Sequence, residues 1–314
     1  MYIEVARLGK NELFRYAIMM LIIVIAYNIG SLPMIGFLFA AIQNDENLGE
    51  SDLTKFSENP DFSLFGIDPN LGFLLLLLTF VAVFIAFYFL FPVIHKRPFK
   101  TLITWKAKID WSRILFGFGV WLLIGLLLEA IFFGLHSEHY TLNFDLKSFV
   151  PLVLISLLIL PIQTSVEELI FRGYLLQGIT IGTNSKIYAL IITSILFGAI
   201  HSMNPEIHKF GFFTMQLYYI GAGFFLGIVT LMDNRLELAL GIHAATNFLG
   251  AVFVGYDGAA IQTSSLFKTS YLNPVLMTAG FYLGACIFLF IAFKRFNWRS
   301  FTKLDATINK NSIS

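Results

Sequence analysis

The sequence predicts an all-α, polytopic membrane protein with about eight transmembrane helices and both termini in the cytoplasm. The first observation is composition: of 314 residues, 57% are hydrophobic and 13% are Asp, Glu, Lys or Arg, against about 25% charged residues in soluble domains. The second is that the apolar residues form long runs with almost no charge. The third is that acidic and basic residues collect in different loops.

The same composition excludes several classes of protein. Disordered chains combine low hydrophobicity with high net charge, and this chain has neither. A net charge of +1 provides no basic surface, so we expect no nucleic-acid partner. Cys286, the single cysteine, cannot form an intramolecular disulfide.

Eight stretches approach or exceed the length that spans a bilayer, about 20 residues. Three of them contain an ionisable residue, namely Glu129, His201 or His243. They are helices rather than strands, because alternation of apolar and polar residues is absent and a helix satisfies its own backbone in lipid. The predicted spans are 16–42, 71–94, 114–135, 149–166, 187–203, 210–232, 238–254 and 271–293.

The loops predict the orientation of these spans. Segment 95–113 holds six lysines and arginines against the single acid Asp110, so it should be cytoplasmic. Segment 44–70 holds seven acids and only Lys55, so it should face outward. A basic tail follows the last span. It contains Lys294, Arg295, Arg299, Lys303 and Lys310.

Ionisable side chains inside spans cost about 2.5–3.5 kcal/mol each on insertion scales, so each needs a reason. Glu168 and Arg172 are four residues apart on a helix and should form an ion pair. Glu167 points about 100° away and has no partner four residues on. An unpaired carboxylate in a dry cavity can act as a general base or acid, whereas an ordinary ion pair at a helix end is the alternative interpretation.

Two later spans carry further polar groups. His201 follows Phe197 by four residues in the fifth span, and His243 precedes Asn247 by four in the seventh. Only Ala244, Ala245 and Thr246 separate the latter pair, so another helix or a substrate could approach closely. Packing alone does not require two histidines, an acid pair and an asparagine on three helices.

This pattern resembles the CPBP intramembrane proteases. Glu-Glu-x-x-x-Arg, Phe-x-x-x-His and His-x-x-x-Asn follow one another on successive spans, over about residues 149–254. The family includes the type II CAAX prenyl endopeptidases and bacteriocin self-immunity proteins. As supporting residues the resemblance implies Glu168 with Arg172, which orient the site, and Phe197.

The resemblance implies peptide-bond hydrolysis in a membrane cavity, which opens towards the cytoplasm in the prenyl endopeptidases. Glu167 with His201 would activate the attacking water, and His243 with Asn247 would bind the oxyanion. A zinc ion held by Glu167, His201 and His243 is the alternative. His-Glu-x-x-His is absent, which weighs slightly towards a reaction without metal. The cofactor prediction is therefore none, or a single zinc ion.

Glu167 and His201 can form one site only if their helices bring them to the same depth in the membrane. In straight spans Glu167 lies near the cytoplasmic side and His201 towards the opposite face. The two meet only if the helices tilt, if Pro161 bends the fourth helix, or if the fifth helix begins deep in the cytoplasm at a cap near Asn184 and Ser185.

The sequence thus predicts one integral domain in three parts: spans without a recognised motif (1–148), a CPBP-like catalytic core (149–254), and the last span with its tail (255–314). The predicted partners are the lipid bilayer and a membrane-anchored peptide or protein, prenylated or not. The predicted location is a bacterial plasma membrane. A non-catalytic protein, either a peptide-binding immunity factor or a proton-coupled transporter, is the alternative.

Overall fold

The computed structural model describes residues 1–298 of the chain. Two π-helical segments, Leu169–Leu175 and Leu249–Phe253, continue α6 and α11. In the described range the α-helices are α1 (Leu13–Asn44), α2 (Glu50–Glu58), α3 (Pro69–His95), α4 (Trp111–His136), α5 (Leu146–Leu158), α6 (Leu160–Glu168), α7 (Leu176–Thr183), α8 (Lys186–Ile200), α9 (Pro205–Phe210), α10 (Phe212–Asp233), α11 (Glu237–Phe248) and α12 (Pro274–Arg295). The strands are β1 (Tyr140–Leu142), β2 (Val254–Tyr256) and β3 (Phe267–Thr269).

These helices confirm an integral multi-pass membrane protein. Within residues 1–298, seven helical stretches are long and apolar enough to cross a bilayer. The predicted seventh span is the shorter apolar helix Glu237–Phe253, whose length is near the lower limit for spanning. The largest difference is in the fourth span, predicted to end at residue 166, which continues to Thr183.

One end of the helix bundle is basic. The Tyr2 backbone N–H donates to Asn234 Oδ1 at 3.1 Å, and the Leu236 N–H donates to the Ile103 carbonyl. The N-terminal segment, the basic loop after α3 and the turn after α10 therefore meet at this end, where α12 also ends. The positive-inside rule assigns this end to the cytoplasm. Arg299, Lys303 and Lys310 of the predicted tail lie outside the described residues.

The opposite end carries the acidic loop and a small sheet that the sequence did not predict. The strand order is β1-β3-β2, with β1 antiparallel and β2 parallel to β3. Asn59 Oδ1 accepts hydrogen bonds from the Gly258 N–H and the Gln262 amide, which ties the acidic loop to the segment after β2. We call segments 45–68, 137–145, 204–211 and 254–273 the outer cap.

Candidate active site

The turn between the fourth and fifth spans places Glu167 opposite His201. Glu167 lies 16 positions before Thr183, and His201 lies 16 positions after Ser185. Because α7 and α8 are antiparallel around a left-handed Asn184, both residues are about 24 Å from the turn. Ser185 caps α8 with its hydroxyl, as predicted. The long fourth span therefore brings Glu167 and His201 to the same depth, which straight, shorter spans could not do.

The fourth span is also interrupted near Pro161. Helix α5 ends at Leu158 and α6 begins at Leu160. Proline lacks the N–H that would continue the hydrogen-bond ladder, so a break at this point follows from the sequence. The two π-helical segments begin just after Glu168 and Phe248, beside the predicted site residues, and such segments are frequent at functional sites.

Glu168 is the anchor of a buried polar network. Its Oε1 accepts a hydrogen bond from Arg172 Nη1 at 2.7 Å, which confirms the predicted pair, and lies 2.7 Å from His243 Nδ1. The Arg172 side chain is 1% exposed, donates to the Gly223 carbonyl and stacks over the Phe197 ring at 4.3 Å. A buried carboxylate is tolerated when a permanent cation lies beside it. Glu168 therefore holds His243 in place with its charge already balanced.

The two histidines present the same ring nitrogen to the site. His243 Nδ1 faces the Glu168 carboxylate, and His201 Nδ1 lies 2.6 Å from the Phe197 carbonyl. Both partners accept hydrogen bonds, so each Nδ1 carries the proton and each neutral ring offers a lone pair at Nε2. The Nε2 atoms lie 3.7 Å (His243) and 4.0 Å (His201) from Glu167 Oε2.

Glu167 is held by a glutamine that the sequence analysis missed. Gln163 Nε2 donates to Glu167 Oε1, and Gln163 Oε1 accepts from Asn247 Nδ2 at 3.0 Å. We expected no partner four residues after Glu167, but its partner lies four residues before it. A polar residue at this helical spacing is the signal that could have revealed it. The other oxygen, Glu167 Oε2, is buried without a hydrogen-bond partner.

These groups share the wall of one cavity of about 810 Å³, within the size range of ligand sites. The four predicted catalytic residues, Glu167, His201, His243 and Asn247, all line it, as does Phe197. Tyr219, which the sequence analysis also missed, stacks on the His201 ring with centroids 4.4 Å apart. The structure therefore brings together side chains from three spans around a common space.

The spacing of the same residues is slightly wider than that of ligands around one zinc ion. Tetrahedral zinc ligands at 2.0–2.2 Å from the metal lie about 3.4 Å from one another, whereas Glu167 Oε2 is 3.7 and 4.0 Å from the two imidazole nitrogens. Gln163 already occupies Glu167 Oε1. Within residues 1–298, no three His, Cys, Asp or Glu side chains are grouped so that they could hold a metal ion.

Comparison with known proteins identifies a family for this chain. The family model described as type II CAAX prenyl endopeptidase Rce1-like matches residues 146–249. The uncharacterized protein YyaK of Bacillus subtilis (strain 168) is 32% identical over 270 residues, which cover 85% of this chain and 87% of that protein. The chain belongs to the CPBP family. No solved structure matches it.

Membership of the CPBP family confirms the resemblance seen in the three motifs. The matched segment, 146–249, runs from the start of α5 to the end of α11 and contains every predicted site residue. At the level of the family, the chain is a CAAX-type intramembrane protease. The assignment covers a third of the chain directly, and the helices before residue 146 contribute further walls of the cavity.

Proposed function

We propose that this protein is an endopeptidase that hydrolyses a peptide bond of a membrane-associated substrate, with Glu167, His201, His243 and Asn247 as its catalytic residues. The observation that carries the proposal is the environment of Glu167 Oε2. This atom is buried and has no hydrogen-bond partner, and it lies within 4.0 Å of two imidazole nitrogens in a cavity wall. Three acceptors facing one another are stabilised by a shared proton donor, and water is such a donor.

Water activation follows from this spacing. Separations of 3.7 and 4.0 Å are too long for direct hydrogen bonds but suit a water at about 2.8 Å from Glu167 and His201. The water oxygen attacks the carbonyl carbon of the scissile peptide while its proton passes to the Glu167 carboxylate or to His201 Nε2. Proton transfer by a positioned side chain contributes about 10²–10⁴ in rate.

The oxyanion that develops on the carbonyl oxygen needs hydrogen-bond donors. Asn247 Nδ2 has two hydrogens, of which one is given to Gln163 and one is free for substrate. His243 Nε2 becomes a donor when it takes up the proton that the attacking water releases, while Nδ1 stays directed at the Glu168 carboxylate. The intermediate then collapses, the C–N bond breaks, and the proton passes to the leaving nitrogen. The products are a carboxylate and an amine.

A matched pair of variants tests this role of Glu167. Glu167→Gln keeps the shape of the side chain and removes its basicity, so we expect cleavage of fluorogenic membrane-anchored peptides in proteoliposomes to fall at least ~10³-fold. Glu129→Gln makes the same change elsewhere in the cavity wall and should leave cleavage within about threefold. Full activity of Glu167→Gln contradicts the proposal, and peptide binding without cleavage in wild type supports the non-catalytic alternative.

A second measurement addresses the metal. Wild-type protein is dialysed against a chelator, its metal content is measured, and cleavage is assayed before and after readdition of Zn²⁺. A reaction carried by the protein groups alone survives dialysis. Loss of activity that only Zn²⁺ restores assigns Glu167, His201 and His243 to the metal instead.

A further inference from the structure

The His201 imidazole is held less firmly by its own helix than the His243 imidazole is. His243 lies within α11, and its Nδ1 faces the charged carboxylate of Glu168. His201 lies just beyond the last residue of α8, in a short 3₁₀ turn, and its Nδ1 faces the neutral carbonyl of Phe197. Hydrogen bonds to charged groups are roughly twice as strong as those between neutral groups. The orientation of the His201 ring therefore depends on contacts from another helix.

Helix α10 supplies these contacts. The Tyr219 ring stacks on the His201 ring, with the two centroids 4.4 Å apart and the two planes inclined by 25°. Three residues earlier on α10, Gln216 Nε2 donates to the Gly198 carbonyl at 3.0 Å and to the Ser202 hydroxyl at 2.9 Å. Residues three apart lie on the same face of a helix. One face of α10 therefore holds the end of α8, and its tyrosine covers the imidazole.

Tyr219 is itself held at its hydroxyl group. The residue is buried, and its hydroxyl oxygen accepts a hydrogen bond from Asn204 Nδ2 at 3.2 Å, while the hydroxyl hydrogen is donated to the Glu206 carboxyl group. Both partners follow His201 closely in the chain. The segment 201–206 is therefore attached to one tyrosine at three places, by a stacked ring and by two hydrogen bonds. Tyr219 cannot turn away from the imidazole without breaking both hydrogen bonds.

We propose that Tyr219 is a positioning residue for peptide cleavage: its ring fixes the plane of the His201 imidazole and so directs Nε2 at the water beside Glu167. This role rests on the proposed function, in which His201 and Glu167 bind the attacking water. His201 Nε2 lies 4.0 Å from Glu167 Oε2, and without the stacked ring only the bond from Nδ1 to a carbonyl opposes rotation of the imidazole. A displacement of about 1 Å in a reacting group can lower a rate about 10²-fold.

Nitrogen NMR of the histidine rings tests this role without any substrate. In full-length protein labelled with ¹⁵N-histidine and held in micelles at about pH 8.5, where imidazoles are neutral, the ring shifts report which nitrogen carries the proton. The signals are assigned from their loss in His201→Gln and His243→Gln. We expect a single tautomer of His201 in wild type, with the proton on Nδ1, and a mixture of both tautomers in Tyr219→Leu. The His243 signals should be the same in both proteins. A His201 ring that keeps the single Nδ1 tautomer in Tyr219→Leu overturns the proposal.

Cleavage of a membrane-anchored fluorogenic peptide by three variants separates positioning from packing. Tyr219→Leu removes the stacked ring, so we expect kcat to fall about 10–10²-fold while KM stays within about threefold. Tyr219→Phe keeps the ring and should retain both kcat within about threefold and the Nδ1 tautomer. Tyr218→Leu is the matched control, because the Tyr218 ring lines the same cavity but packs on Phe281. Its kcat should stay within about threefold of wild type. Tyr219→Met, which fills the space without a ring, replaces Tyr219→Leu if that variant does not fold.

Three kinetic results would overturn this role of Tyr219. They are equal losses in Tyr219→Leu and Tyr219→Phe, a loss in Tyr218→Leu as large as that in Tyr219→Leu, and a rise in KM without a fall in kcat, which would make Tyr219 a substrate contact. A wild-type protein that cleaves no peptide, while Tyr219→Leu still changes the tautomer of His201, refutes the proposed function instead. The effect of Tyr219 on the orientation of His201 then stands.

Discussion

The inner seal, as we call the layer formed by segments 1–11, 96–104 and 234–236, and the cavity are two regions of one helix bundle that use polar side chains differently. Both consist of apolar helices with a few polar side chains. In the inner seal, the buried Tyr2 hydroxyl and Gln177 amide donate to backbone carbonyls of distant segments. Around the cavity, Glu167 and Glu206 line an open volume, and Glu167 keeps one oxygen without a hydrogen-bond partner. The difference shows that a buried polar group in a membrane protein acquires its role from what surrounds it.

Two neighbouring residues repeat this contrast at the scale of one helical turn. Glu168 is completely buried, and its charge is balanced by the permanent cation of Arg172. Glu167 faces the cavity, where its nearest ionisable neighbours are the imidazole rings of His201 and His243 and not a permanent cation. The first carboxylate is suited to hold the site together and the second to accept a proton. Substitutions at these two kinds of residue should therefore have different effects on stability and on catalysis.

The largest effect on stability should come from the buried pair. Arg172→Met leaves Glu168 as an unpaired buried charge, and we expect a loss of about 3–5 kcal/mol in unfolding free energy. The double variant Glu168→Gln/Arg172→Met should lose less than half of that, because no uncompensated charge remains. Unfolding titrations in mixed micelles measure both. A double variant as unstable as the single one would show that the pair is not held by charge.

After Glu167→Gln, the largest effect on catalysis without an effect on folding should come from Asn247. This residue is only partly buried, and Asn247→Ala removes one of the two proposed oxyanion donors. We expect turnover to fall about 10²–10³-fold while the melting temperature stays within a few degrees of wild type. A loss of stability in proportion to the loss of activity would show that Asn247 is a structural residue. The contrast between the two regions would then not hold at this position.

Two tyrosines provide a matched comparison between the regions. Tyr2→Phe leaves the buried Leu102 carbonyl without its donor, so we expect a loss of about 1–3 kcal/mol. Tyr140→Phe removes the bond from the Tyr140 hydroxyl to Glu129 in the cavity wall. Both residues are only partly buried, so water can replace that bond. This loss should be about 1 kcal/mol or less. Equal losses would indicate that the outer half is packed as tightly as the seal.

The smallest effect concerns pH. Burial raises the pKa of the Glu206 carboxyl above its usual value. Because the folded-state pKa exceeds the unfolded one, the protonated carboxyl stabilises the fold below about pH 4.5, and this contribution is lost as the pH rises through the folded-state pKa. Glu206→Gln cannot ionise, so its melting temperature should gain about 1–2 °C on wild type between pH 4.5 and pH 8. A difference in melting temperature that stays constant across that range would show that neighbouring groups already compensate the charge of Glu206.

The amino-acid sequence by itself determined the features that depend on neighbours along the chain. The apolar runs predict the spans, because a helix in lipid needs only length and hydrophobicity. The Glu168–Arg172 pair and the Ser185 cap follow from spacing within one or two turns. Pro161 marks the break in the fourth span for the same local reason.

Only the tertiary structure decided which of these helices meet, and at what depth. The length of the fourth span sets Glu167 level with His201. The contact between Gln163 and Asn247 joins residues 84 positions apart. Neither the strands of the outer cap nor the inner seal has a periodic signal, since three-residue strands and single hydrogen bonds depend on distant partners. The position of the cavity is therefore a property of packing, because apolar helices of identical composition can leave space at different depths.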